Sequence, residues 1–360
     1  MIYRAIGIMS GSSLDGLDIA FVEFHENGGR WQFEIQQADC LAYTPEWKSK
    51  LEYAVSLNAL EYQLLHADYG HYIGARVNEF IDRHDLQYKV AVIGSHGHTT
   101  FHMPERRMTG QIGDGAAIAA ATGLTVVSDL RALDVALGGQ GAPIVPIGEQ
   151  LLLGQYRYLL NIGGIANLSI KDTRYKAFDI CAANRVLNLL AAELGHSYDE
   201  NGALAASGTV NEALLGALNA LDYYQMPAPK SLANDFGTDT VYPLIKRYEG
   251  RVEDQLRTYV EHVAQQVCRA LEADDHYGQE AQELLVTGGG ALNGFLISRL
   301  KELLNIRVVV PDERLVLYKE ALIMALIAVL RWREETNVLS SVTGASRDSA
   351  GGAMWLGAGA

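Results

Sequence analysis

Ile8-Met9-Ser10-Gly11-Ser12-Ser13-Leu14-Asp15-Gly16-Leu17-Asp18 ends one strand-like run and begins another across a turn of glycine, serine and aspartate. Working outward, residues 3–9 and 17–24 read as strands on either side of this turn, and residues 31–37 as a third after Asn27-Gly28-Gly29. Three strands joined by tight turns make an antiparallel meander. A helix follows over residues 60–83, where Leu60, Leu64, Ala67, Ile73, Val77 and Phe80 recur at helical spacing. Residues 90–95 form a short unbroken apolar run, as expected of a strand covered on both faces. Gly113-Asp114-Gly115 then opens an alanine-rich helix, and residues 125–128 return as a strand. Hairpins and crossovers are mixed in one sheet.

The second half repeats the plan. Residues 158–161 and 168–171 flank Gly163-Gly164, and 175–180 follow as a third strand. Helical patterns cover 187–194, 211–221 and 253–271, a strand over 283–287 runs into Gly288-Gly289-Gly290, and 307–311 is the last strand before a helix over 318–333. The expected architecture is α/β: two duplicated domains of mixed sheets flanked by helices. One would take residues 1–130 plus about 336–360 and the other 131–335, with the ligand in the cleft between them. The stripe Leu322, Ala325, Leu326 and Val329 is core.

Composition narrows the function. With 29 Lys plus Arg against 43 Asp plus Glu, the net charge is -14, which disfavours a nucleic-acid surface because phosphate binding needs clustered cations. Cys40, Cys181 and Cys268 lack a Cys-x-x-Cys pair, which argues against a disulfide framework and a zinc site. The first residues carry no signal-peptide pattern, and the apolar run 321–330 is about half of what a membrane span needs. A cytoplasmic protein without membrane or nucleic-acid partners is expected.

Three glycine turns each follow a strand, at 11–16, 163–164 and 288–290. Glycine lets backbone amides approach an anion, although each turn alone also reads as an ordinary tight turn. The first has G-x-x-x-x-G spacing, but Leu17-Asp18 stands where a P-loop needs Lys and Ser or Thr. No G-x-G-x-x-G opens a helix after a strand. Without a lysine in these turns, a bound triphosphate would need a divalent cation. His96, His98 and His102 do not read as zinc ligands, since His96 and His98 would alternate along an extended segment and point to opposite sides.

Residues 8–18 resemble the opening of the anhydro-N-acetylmuramic acid kinase family, which has the fold of sugar kinases, heat-shock chaperones and actin-like ATPases. Further blocks carry the resemblance: Gly94-Ser95-His96-Gly97-His98-Thr99, Gln111-Ile112-Gly113, Asp134-Val135-Ala136, Gly138-Gly139-Gln140-Gly141-Ala142-Pro143, Asn161-Ile162-Gly163-Gly164-Ile165-Ala166-Asn167, Thr287-Gly288-Gly289-Gly290-Ala291-Leu292-Asn293 and Val342-Thr343-Gly344-Ala345. The resemblance implies ATP with Mg2+ as cofactor and an amino sugar as substrate. The family opens the 1,6-anhydro bond with water and phosphorylates O6, to give N-acetylmuramic acid 6-phosphate in cell-wall sugar recycling. By position, Asp179 matches the base that takes the water proton, and Glu320 a group stabilising charge at the anomeric carbon. ATP would lie against Gly11, Ser12, Ser13, Leu14, Asp15, Gly16 and Asp18, then Gly163 and Gly164, with Gly288, Gly289, Gly290 and Asn293 at the adenosine. His96, Thr99, Arg131 and Asn184 would contact the sugar, Arg131 holding a carboxylate in two hydrogen bonds.

Other readings stand beside these. Asp179 also fits as a cap of the helix near Asn184, and Arg131 and Glu320 as halves of ion pairs. Cys181 reads as packing. Between Asp179 and Asn184 the family usually has Thr or Cys, Gly, Pro, Gly, whereas this chain has Ile180, Cys181, Ala182 and Ala183, so a different loop path is expected. Polar residues that usually follow Pro229-Lys230-Ser231 are replaced by Leu232-Ala233-Asn234-Asp235. A kinase of another sugar, or a nucleotide-dependent switch protein of the same fold, stays open, as does a homodimer.

Overall fold

β1 (Ile2–Ser10), β2 (Gly16–Asn27) and β3 (Arg30–Ala42) form the meander, with Met9 opposite Asp18 and Asp18 opposite Cys40. In this computed structural model residues 1–11, 14–172, 175–228, 230–233, 235–279 and 282–357 are described. β4 (Val92–Ser95) is followed by a separate hairpin, β5 (His98–Met103) and β6 (Met108–Ile112), and then by β7 (Thr125–Ser128). The second meander is β8 (Tyr158–Ile162), β9 (Ile165–Ile170) and β10 (Lys176–Ala182), and β11 (Glu283–Thr287) and β12 (Arg307–Val309) follow. β13 (Ala353–Trp355) closes the series.

The two sheets share one topology. The first runs β13-β7-β4-β1-β2-β3 and the second β10-β9-β8-β11-β12. In each, the first meander strand pairs antiparallel with the second and parallel with a strand reached by crossover, β4 for β1 and β11 for β8. The duplication read from two glycine turns is thus a duplication of strand order, with β13 added at one edge. Ala5 to Ile8 are buried or nearly so, as a central strand covered on both faces requires.

The structure divides the chain into residues 1–154 with 318 onward, and Gln155–Leu317. The expected crossings near residues 130 and 335 therefore move to 154 and 318. Polar contacts hold the intervening stretches to the first unit: Asp134 bonds Thr343, and Glu149 pairs with Lys319 at 2.8 Å, both side chains buried. A second reason is close packing. Gly7 and Gly94 are register partners on β1 and β4, and a Cβ on either would collide with the carbonyl of Ala321 or Met324. Only paired glycines let the helix Glu313–Trp332, interrupted at Tyr318, lie this near the sheet, and so they set the height of Lys319 and Glu320.

In the first unit, Ile6, Ile8, Leu17 and Ile19 pack with Tyr69, Ile73, Val77 and Phe80 of the helix Ala59–Arg83. In the second, Leu160, Ile162 and Leu168 pack with Tyr259, Val263 and Val267 of the helix Val252–Glu272. No helix among the described residues is long and apolar enough to cross a membrane. The hairpin of β5 and β6, the edge strand β13 and the helix Pro45–Glu52 are additions to the sequence reading.

Candidate active site

The first glycine turn joins β1 to β2, and Ser12 and Ser13 within it lie outside the described residues. Leu14 adopts φ +56° and donates its N–H to Gly11 O at 3.4 Å. A Cβ at Gly16 would press on Cys40 Sγ and Leu41 O, so packing on β3 is sufficient reason for that glycine. Two residues on, the half-buried Asp18 is pushed up to about 6, chiefly by burial; a hydrogen bond from Cys40 opposes the shift, and the charges of Glu320 and Asp15 add to it. The same proximity, with burial as the main cause, pushes the Cys40 thiol up to about 12. Asp18 thus sits within the field of two further carboxylates, with no lysine in the turn, an anionic setting suited to a cation.

Glu320 makes no hydrogen bond or ion pair among the described residues, and burial raises its carboxyl against the pull of Lys319 and Arg131. Arg131 likewise has no carboxylate within ion-pair distance among these residues. Its Nε donates to His96 Nε2 at 2.9 Å and its Nη1 to Gly141 O at 2.8 Å. Burial lowers the guanidinium to about 10, with Glu320 opposing. Neither residue is thus half of a pair, and unpaired buried charges mark functional sites.

His96 and His98 do not alternate along one strand as expected. Gly97, at φ +70°, turns the chain between β4 and β5. Both rings are buried, but His96 bonds Arg131 while His98 Nδ1 meets Ser10 Oγ at 3.1 Å, in a chain that continues through Tyr43 to Tyr69. Thr99 is exposed on β5, its Oγ1 accepting from Gln111 at 3.4 Å. Among the described residues these histidines form no metal-binding group.

In the second unit Asp179 lies near the end of β10, where a bulge separates it from Cys181. Its Oδ2 accepts from Leu232 N–H at 2.8 Å, its own N–H donates to Lys230 O at 2.9 Å, and its carbonyl accepts from Tyr223 OH at 2.8 Å. Asp179 does not cap the helix Asn184–Glu193, whose N-cap position is Ala183 with no side-chain bond. Oδ1 has no partner among the described residues. Burial raises the carboxyl, with the Leu232 amide opposing. A rigid carboxylate with one free oxygen and increased basicity suits a general base. Beside it, Ile180 to Ala182 simply continue β10 with ordinary negative φ. Cys181 is buried, as read.

The other glycines separate by cause. Gly163 O and Gly164 O accept from the N–H groups of Asn184 and Ala183 at 3.0 and 2.8 Å, so this turn anchors the helix that follows. Gly288 has φ +80°, and a Cβ on Gly290 would collide with Ile162. Gly289 differs, because a Cβ there would meet only Asn184 Nδ2, at 3.7 Å. Gly289 and Gly290 line a cavity of about 460 Å³ with Asn184, Asn188, Tyr198, Glu200, Leu292 and Asn293. Asn184, expected at the sugar, is thus placed against the triple-glycine turn, its Nδ2 donating to Ile162 O at 3.2 Å. Asn293 Oδ1 caps the helix Gly294–Leu303 through Leu296 N–H at 2.9 Å. Tyr198 and Leu292 are exposed large side chains at this cavity, and Asn188 lies on its wall. The sequence reading missed Tyr198 and Asn188, because isolated residues on loops and helix faces carry no periodic signal, and it quoted Leu292 within the triple-glycine block without assigning it a contact.

The family model for anhydro-N-acetylmuramic acid kinase matches residues 3–357. The chain belongs to that family. A relative from Hydrogenovibrio crunogenus, named anhydro-N-acetylmuramic acid kinase, is 34% identical over 97% of this chain and 97% of its own. One of the same name from Pseudomonas putida is 38% identical over 83% of this chain and 84% of its own. Among solved structures, component A of the (R)-2-hydroxyglutaryl-CoA dehydratase of Acidaminococcus fermentans matches with a TM-score of 0.47 and 15% identity, over 91% of this chain and 97% of that one.

Proposed function

We propose that this member of the family, an ATP-dependent carbohydrate kinase, opens 1,6-anhydro-N-acetylmuramic acid with water and phosphorylates the freed O6, yielding N-acetylmuramic acid 6-phosphate. The family match across residues 3–357 carries this reading. In the proposed reaction Asp179 Oδ1 takes a proton from water as the water oxygen bonds to the anomeric carbon. The bond from that carbon to O6 breaks, O6 attacks the γ-phosphorus of ATP, and the bond from that phosphorus to the β–γ bridging oxygen breaks to release ADP. Glu320, an unpaired and desolvated carboxylate, would face the positive charge that develops at the anomeric carbon. Arg131 would hold the carboxylate of the sugar, since a buried guanidinium without an anionic partner calls for one.

ATP would place its phosphates at the turn from Gly11 to Asp18 and its adenosine in the cavity at Gly289. Mg2+ would be held through Asp18, with Asp15 nearby, and supplies charge compensation for the triphosphate. We place the reaction in the cytoplasm, in line with the three free cysteines. A second reading, a kinase of another sugar, is favoured by Cys181, Ala182 and Ala183, which stand where the family usually has Gly-Pro-Gly, the first two continuing β10 and Ala183 leading into the next helix. Incubating the protein with ATP, Mg2+ and a panel of anhydro and amino sugars in ¹⁸O water, with mass spectrometry, separates the two. The first reading requires label at C1 of the phosphorylated product, and label in the phosphoryl group overturns it.

A further inference from the structure

The two contacts that fix Arg131 are both to uncharged acceptors, and each acceptor is itself held. Arginine only donates, so His96 Nε2 must present its lone pair, and the ring proton sits on Nδ1, which donates to Gly97 O at 2.9 Å. Burial and the Arg131 charge hold His96 at about 3, so the ring stays neutral beside the guanidinium. On the other side, Gly141 N–H donates to Asp134 Oδ2 at 2.7 Å, and Thr343 Oγ1 donates to Asp134 Oδ1 at 2.7 Å. Asp134 and Thr343 are buried, at 1% and 2% exposure, and Gly141 needs its glycine for φ +66°. Three segments far apart in sequence thus converge on one guanidinium: residues 96–97, the loop 134–141 and Thr343.

This arrangement spends the Nε–H on His96 and one Nη1–H on Gly141. A second Nη1–H and both Nη2–H groups have no partner among the described residues. We infer that His96, Asp134 and Thr343 are positioning residues that brace Arg131 so that its Nη1 and Nη2 edge takes a carboxylate end-on, and that this brace selects an anhydro sugar bearing a carboxylate over one without. The inference rests on the kinase reading and refines it: His96, expected to touch the sugar, acts through Arg131 instead. Asp134 is the pivot because both of its oxygens are used, each by a different segment.

The test compares KM and kcat for 1,6-anhydro-N-acetylmuramic acid with those for 1,6-anhydro-N-acetylglucosamine, which lacks the carboxylate, alongside calorimetric ATP affinity. Arg131→Met should abolish the preference for the acid. Thr343→Val, Asp134→Ala and His96→Leu should each raise KM for the acid about tenfold or more, in the range of one charge-assisted hydrogen bond, with little change in kcat, the neutral sugar or ATP affinity. Asp134→Asn should stay near the parent, because its carbonyl can still accept from Gly141 while the Thr343 hydroxyl reverses to accept from the amide. His96→Gln, which keeps an acceptor, should fall between parent and His96→Leu. Equal losses on both sugars, or an unchanged KM in the brace variants while Arg131→Met shifts it, would overturn the inference. Should Asp134→Ala not fold, Thr343→Val and the two His96 variants decide. If the parent phosphorylates neither sugar, the kinase reading fails separately, and calorimetric binding of the acid sugar by the same variants still decides the brace.

Discussion

The two sheets of this protein share a strand order and differ in nearly everything placed at their functional ends. The first unit gathers charge: Asp18, Glu320, Arg131 and the buried Glu149–Lys319 pair. The second offers one raised carboxylate, Asp179, and a cavity of glycine, asparagine and exposed apolar side chains. Duplication preserved the hydrogen-bonded frame, which strand order and core packing fix, and left the loops free to diverge. A charged end suits phosphates and an acidic sugar, whereas a cavity of glycine, asparagine and apolar side chains, with Asp199 and Glu200 on its wall as acceptors, suits a nucleoside. If this division of labour holds, substitutions in each unit should fail in different ways.

The largest expected effect is at Asp179. Asp179→Asn keeps size and the acceptor for Leu232 N–H but removes basicity, so turnover should fall about 10²- to 10⁴-fold while calorimetric ATP and sugar affinities stay close to the parent. Retained turnover would remove the one catalytic role assigned to the second unit.

The triple glycine gives the next contrast. Gly289→Val should fold normally, since only Asn184 Nδ2 lies near its Cβ direction, yet intrude on the nucleoside space and weaken ATP binding by about 1–3 kcal/mol. Gly290→Val, one residue on, should instead lower the melting temperature by crowding Ile162. Matching effects at both positions would mean that the cavity is not the adenosine site.

Both meanders were legible because strand-like apolar runs and glycine turns are local signals, whereas Asp179 was singled out by its place in a motif and the burial that raises its carboxyl was not. What the sequence reading missed is non-local. The unit boundary depends on Asp134 meeting Thr343 and on Glu149 meeting Lys319, partners about 170 or more positions apart that no window connects. Gly7 and Gly94 held the clue to the helix position, but a glycine inside a strand reveals close approach only once its register partner is known. The histidine error has a similar cause, because period-two reasoning fails where Gly97 adopts φ +70°.

His96 in the first unit, where His98 is buried too, and His262 in the second are the histidines pushed furthest down: burial holds both at about 3, helped by Arg131 and Arg269 respectively. Their ordinary value is near 6.5, so the unfolded chain binds these protons at a higher pH than the folded one. The stability they confer is present above about pH 6.5 and lost as pH falls toward 3, at about 1.4 kcal/mol per pH unit for each proton. Urea unfolding from pH 7.5 to 4.5 should show this slope, and His262→Gln and His96→Gln should each reduce it by one proton. A slope unchanged in both variants would assign acid sensitivity to other groups.

The smallest effect is expected at Asn293, where the two roles of the second unit meet. Its Oδ1 caps the helix Gly294–Leu303, and the same residue lines the cavity. Asn293→Ser retains a capping oxygen, and good caps differ by only a few tenths of a kcal/mol, so the melting temperature should hardly change. ATP affinity then reads the remaining Nδ2 alone: a fall of about threefold to tenfold is expected if the amide donates to the nucleoside, the range of one neutral hydrogen bond. Asn293→Ala supplies the control, since it should lose the cap as well and cost about 1 kcal/mol of stability. If Asn293→Ser binds ATP like the parent while Asn293→Ala melts lower, Asn293 is a cap only, and nucleoside recognition rests on the glycines and on the side chains from the opposite wall of the cavity.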